Sequence, residues 1–172
     1  MSNFVPSDVL GEISKKMSDW LTKWHDKLKT YFLFICYFVM LFNDSYNHKE
    51  VNRQIFEAVG APYTIWTRIK MNGIGSPRTV IKAASPEIQK LLELDNNASW
   101  CFIELRPKGI IIRFRSLLET YALVIPWWKL VIFKTDANVH SLHCDGNFIR
   151  IKTDTKQLKA FLLRLMELKS VS

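Results

Sequence analysis

The sequence predicts an α+β fold in which an antiparallel sheet is packed by one C-terminal amphipathic helix, with a helical arm ahead of it. Three observations carry this prediction. From Trp100 to Thr153 short apolar runs of period two alternate with turn residues. From Leu158 to Leu168 the apolar period switches to three and four, which is a helix with one dry side. From Thr30 to Phe42 no charge and no helix breaker occurs, as in a helix that is apolar all round.

The strands are read from residue type and spacing. Trp100–Arg106 is rich in aromatic and β-branched residues and stops at Pro107-Lys108-Gly109. Gly109–Ser116 then alternates, with Ile110, Ile112 and Phe114 on one face and Ile111, Arg113 and Arg115 on the other. Tyr121–Ile125 and Trp128–Phe133 lie on either side of Pro126, which cannot donate to a ladder and so marks an edge, a bulge or a corner. Val139–Cys144 and Asn147–Thr153 flank Asp145-Gly146, the strongest hairpin signal in the chain. Asp154 or Thr155 caps the final helix, whose stripe is Leu158, Phe161, Leu162, Leu165 and Leu168. An apolar stripe must be buried, and the preceding sheet is the nearest apolar surface.

Upstream, Ile13, Met17, Trp20, Leu21, Trp24 and Leu28 recur at helical spacing with lysines opposite, the pattern of an interfacial helix or of one docked on a protein core. The apolar run Thr30–Phe42 falls short of the roughly 20 residues a membrane-crossing helix needs. It reads as an interfacial segment or as a helix buried in protein or a dimer. A signal peptide fits poorly, because the run begins about 30 residues in and no small-residue cleavage site follows. Asn43–Asn47 is a polar break. His48–Val59 is a short helix stopped by Gly60, and Tyr63–Lys70 alternates as a strand. The two-glycine loop Asn72–Pro77 lacks the Lys-Ser/Thr close of a phosphate-binding loop. Arg78–Ala83 reads as a strand, and Ser85-Pro86-Glu87 starts a helix that ends at Asp95–Asn97. The division expected is an arm over 1–45, a connecting helix over 46–60 and an α+β domain over 61–172.

The net charge of +8 is uneven: residues 99–172 carry 12 Lys and Arg against 6 Asp and Glu. Such a balance favours anionic partners, or serves solubility alone. Cys36, Cys101 and Cys144 are odd in number and widely spaced, which points to a reducing, cytoplasmic compartment rather than a disulfide framework. His140 and His143 sit three apart on a strand and so face opposite ways, which argues against a metal site. No nucleophile context and no paired carboxylates appear, so neither catalysis nor a cofactor is expected. The basic strand positions are the candidate anion-binding site: Arg106, Arg113, Arg115, Arg150 and Lys152. Their alternative role is a solvated sheet face. Trp20, Trp24, Phe32, Phe34 and Phe38 are the candidate membrane-contacting residues of the arm. Trp127 and Trp128 could stack bases, but no nucleic-acid recognition signature accompanies them.

The run Gly109-Ile-Ile-Ile-Arg-Phe-Arg115, followed by Tyr121-Ala-Leu-Val-Ile-Pro-Trp-Trp-Lys-Leu130, resembles the bacterial PH-like and GRAM-like domains. In those a hairpin of apolar strands leads to an Ile-Pro-aromatic segment, and a C-terminal helix plugs a strongly bent sheet. The resemblance covers roughly the last 75 residues, a span set by one short motif and the order of elements. It implies a membrane-proximal or protein-binding module rather than a catalyst. The reading of function is therefore a module at the inner face of a membrane whose basic face meets acidic headgroups or a partner. The alternative is a soluble interaction protein that dimerises or binds a partner through its arm. An enzyme acting on an acidic small molecule is the third reading.

Overall fold

The structure, a computed structural model, describes residues 41–46, 48–95 and 98–172. The arm residues Trp20, Trp24, Phe32, Phe34 and Phe38 lie outside the described residues. Among the described residues eight antiparallel strands form an open sheet: β1 (Leu41–Asn43), β2 (Thr79–Ala84), β3 (Trp100–Arg106), β4 (Gly109–Ser116), β5 (Glu119–Pro126), β6 (Val131–Asp136), β7 (Val139–Cys144) and β8 (Asn147–Lys152). Their spatial order is β1-β5-β4-β3-β2-β8-β7-β6. Among the described residues four helices accompany them: α1 (Lys49–Val59), α2 (Ile65–Lys70), α3 (Pro86–Glu93) and α4 (Lys156–Val171).

Strand β2 joins two ladders. Thr79 and Val80 pair with Cys101 and Trp100 of β3. From Ile81 onward the strand pairs with β8, with a register irregularity between Ile81 and Ala83. The edge of β3 that β2 leaves behind is filled by the preceding loop, where Leu105 N–H donates to Ile74 O (2.8 Å) and Ser76 N–H donates to Ile103 O (2.7 Å). Those amides would otherwise be an open edge.

The inner face holds the main core. Ile103, Leu105, Ile110, Ile112, Phe114, Leu123 and Ile125 from the first ladder share it with Leu142, Ile149 and Ile151 from the second. Helix α4 fills it with Leu158, Phe161, Leu162 and Leu165, as its spacing predicts, and Thr155 Oγ1 accepts the Leu158 amide as the cap. On the outer face α1 buries Ile55 and Val59 against Phe42, Ile111, Ala122 and Val124. Gly109 is required for this contact: a Cβ there would overlap Ile125 O, 2.7 Å from Val59 Cγ1 and 2.8 Å from Pro126 Cα.

Three sequence expectations are corrected. Tyr63–Lys70 is not a strand, since α2 occupies Ile65–Lys70. Alternation and helical spacing coincide over so short a run, and tertiary contacts decide. Asn72 and Gly73 take positive φ, Gly73 N–H returns to Arg68 O (2.8 Å), and Arg164 of α4 donates to the Met71, Asn72 and Gly73 carbonyls. Next, Leu41–Asn43 is not part of a helix or a polar break but an edge strand on β5, with Phe42 buried. Its three residues are too few to show a period. Finally, the strand after Pro126 begins at Val131, not Trp128. Leu130 N–H turns back to Pro126 O (3.1 Å), so Pro126 marks a corner where the chain crosses from the first ladder to the second.

Candidate anion-binding site

The basic positions of β3 and β4 lie on the outer face, as the alternation of β4 requires, but the structure does not assemble the five expected residues into one surface. Arg113 is held between two carboxylates: its Nε donates to Asp44 Oδ2 (2.8 Å) and its Nη1 to Glu104 Oε2. Burial works against its charge, and the hydrogen bonds it donates to Asp44 and Glu104 more than offset it, so its pKa is raised. Arg106 is buried at 6 % exposure. Its Nε lies 2.8 Å from Glu104 Oε1, close enough for an ion pair, yet Nε and Nη1 donate no directed hydrogen bond. Burial pushes this guanidinium below its ordinary value, with Glu104 opposing and Arg113 and Arg68 adding repulsion. Arg106 and Arg113 are therefore internal cations sharing Glu104, not a docking face.

Arg150 and Lys152 project from β8 in the other ladder. Arg150 stacks over Phe148, 5.1 Å from the ring centroid, and Lys152 Nζ pairs with Asp154 at 2.8 Å. Strands β2 and β3 separate them from Arg115 of β4. Of the five residues, Arg115 lines a surface cleft.

That feature is an open cleft of about 500 Å³ lined by Arg78, Asp95, Ala98, Trp100, Arg115, Leu117 and Leu118. Its geometry follows from register. Cys101 pairs with Phe114, so Trp100 and Arg115 are one step further along the same outer row. Arg78, just before β2, stacks on Trp100 with 5.5 Å between its Cζ and the ring centroid. Arg115 Nε donates to Leu117 O (2.9 Å), which ties the guanidinium to the β4–β5 hairpin tip. The hairpin is anchored beneath its tip. Ser116 Oγ donates to Leu91 O, Thr120 N–H donates to Ser45 Oγ (2.7 Å), and Glu119 accepts from Asn43 Nδ2 (2.9 Å) and Tyr121 OH (2.7 Å). Two guanidiniums against the one Asp95 carboxylate leave the cleft net positive, and beside an aromatic wall they can hold a phosphate or carboxylate, with cation–π contact keeping Arg78 in place.

The sequence reading missed Arg78, Trp100 and the tip. A signal was present: Leu117-Leu118 occupies a turn position where Gly, Asn or Asp is the norm, and Leu117 has φ +55°.

Other chemistry-bearing groups are occupied. Burial pushes the Cys101 thiol up to about 12, and burial with the Asp145 carboxylate takes Cys144 to about 11, so neither is a thiolate at neutral pH. His140 Nδ1 lies 2.9 Å from Thr153 Oγ1, while His143 packs between Phe133 and Phe148 and meets Ser141 Oγ at 2.7 Å. Among the described residues no group of three or more His, Cys, Asp or Glu could hold a metal ion, and no helix is long and apolar enough to cross a membrane. A second cleft, lined in part by Lys108, Trp127, Trp128 and Lys169, has no arginine. Compared with protein-family models, curated proteins and solved structures, the chain matches none.

Proposed function

We propose that this chain is a non-catalytic module that binds an anionic, phosphate-bearing surface at the cytoplasmic side of a membrane. The observation that carries the reading is the Arg78–Trp100–Arg115 cleft: two exposed guanidiniums on one aromatic wall, at one end of the sheet's outer face. Its place on an antiparallel meander packed by a C-terminal helix supports reading the domain as PH-like. The anion contact is narrower than the five-residue face expected from sequence, because Glu104 and Asp44 neutralise Arg106 and Arg113 within the protein.

The test is sedimentation of the full chain with phosphatidylcholine vesicles, with and without phosphatidylglycerol, across a salt series. Near an anionic surface each cation contributes about 1 kcal/mol, so Arg78→Gln with Arg115→Gln lowers the phosphatidylglycerol-dependent affinity by about thirtyfold. Arg150→Gln with Lys152→Gln leaves it unchanged. Equal losses in both pairs would mean that diffuse charge, not the cleft, binds. Full competition by soluble glycerol phosphate would make the ligand a free phosphate rather than a surface.

A second reading has its own observation. Ile65, Trp66 and Ile69 of α2 are 73 %, 77 % and 63 % exposed on a helix with no buried residue. Such a patch fits a homodimer or a protein partner. Light scattering of the full chain against Trp66→Ser distinguishes the two, since a dimer through α2 dissociates in the variant.

A further inference from the structure

The β4–β5 hairpin ends in two exposed leucines. Leu118 is 86 % exposed and Leu117 53 % exposed, the latter in a backbone conformation that disfavours a leucine. Two independent conflicts at one position, one of solvation and one of backbone, are what a functional site retains. The tip stands beside the cleft: the Arg115 guanidinium is bonded to the Leu117 carbonyl, and Trp100 and Arg78 line the same cleft as the two leucines. Apolar side chains next to cationic ones match a bilayer, whose acyl chains lie next to anionic phosphates. The anchored base of the hairpin presents the tip as a rigid wedge rather than a loose loop.

We infer that Leu117 and Leu118 insert into the acyl region of a membrane while Arg115 and Arg78 hold the phosphates of the headgroups above them. This rests on the anionic-surface reading and deepens it. It makes the occupant a lipid surface and distinguishes a wedge from a purely electrostatic contact. A flat electrostatic contact would leave the leucines in water and release at high salt. A wedge retains part of its hold there, because apolar burial is not screened.

The test places a bimane fluorophore on Leu118→Cys in the full chain carrying Cys36→Ser. Cys101 and Cys144 are buried, so labelling is confined to the introduced thiol. Lys134→Cys on the exposed edge strand β6 is the control. With phosphatidylcholine–phosphatidylglycerol vesicles, emission at position 118 shifts to the blue and is quenched by a nitroxide on the shallow acyl chain, while position 134 does neither. In a companion measurement, Leu117→Ser with Leu118→Ser loses about tenfold of the binding that survives high salt. A label at 118 that stays water-exposed on vesicle-bound protein overturns the insertion. If the Arg78 and Arg115 variants still abolish the phosphatidylglycerol dependence in that case, the cleft reading survives alone. If the label is buried but those variants change nothing, the wedge stands and the headgroup reading fails.

Discussion

Replacing Glu104 with glutamine keeps shape and hydrogen-bonding atoms but removes the one carboxylate shared by two internal arginines. The Arg106 and Glu104 side chains are 7 % and 16 % exposed, and Arg113 is 17 % exposed, so none regains full hydration without opening the β3–β4 face. At an effective dielectric near 20, each cation–carboxylate pair is worth about 4 kcal/mol before desolvation. Breaking such a buried pair from one side costs about 3 to 5 kcal/mol, because the remaining charge stays buried. Arg113 retains Asp44 at 2.8 Å whereas Arg106 has no second carboxylate among the described residues, so the lower value, about 3 kcal/mol, is expected for Glu104→Gln. In a chain of this length that is a fall in melting temperature of about 10 °C. The assay is urea unfolding followed by near-ultraviolet circular dichroism, alongside the double variant Glu104→Leu with Arg106→Met. The double variant removes both the charge and its partner, and lies within about 1 kcal/mol of the parent. A loss under about 1 kcal/mol for Glu104→Gln would refute the reasoning, since it would mean that Arg106 is hydrated and the burial of the cluster has no energetic consequence.

Two further outcomes follow from packing and titration. Gly109→Ala forces a methyl onto Ile125 O and Pro126 Cα as well as Val59 Cγ1, so it destabilises by about 3 kcal/mol; Val59→Ala rescues little, because two of the three obstacles are backbone. Burial and then Lys134 and Lys159 lower the His140 pKa, and burial and then Arg150 lower that of His143. The folded protein thus binds these protons less readily than the unfolded chain, whose imidazoles titrate near the ordinary 6.5. Their contribution to stability is complete above that value and is lost as the pH falls through the folded values. Unfolding midpoints measured down to about pH 5 show this loss in the parent, and His140→Asn with His143→Phe shows a shallower one; equal slopes would count against the assignment.

Much of the fold was legible because its signals are local. Asp145-Gly146 turns with φ of 46° and 83°, the pattern that its side chains allow. The strands β3, β4 and β7 begin and end where their alternation and turn residues place them. Helix α4 buries the stripe that its spacing marks. The failures are equally physical. The backbone of Ile65–Lys70 satisfies two periods at once, and Arg164, more than ninety residues away in sequence, holds the carbonyls after its last turn.

The candidate site divides in the same way. Alternation alone put Arg113 and Arg115 on one face of one strand, and that placement holds. Which of them meets solvent was set by pairings of long sequence separation. Asp44 reaches Arg113 across 69 residues, while Arg115 is left at the end of the row beside Trp100 and Arg78. Charge in a sequence is a local property, but its neutralisation depends on every segment folded against it. By itself the sequence determined the strands β3, β4 and β7, the basic balance and the dry side of the final helix, because each depends on neighbours a few residues apart. Only the tertiary structure decided that two arginines are buried counter-ions, that a third lines a cleft, and that two leucines stand uncovered at a hairpin tip, because burial is a property of the packed chain.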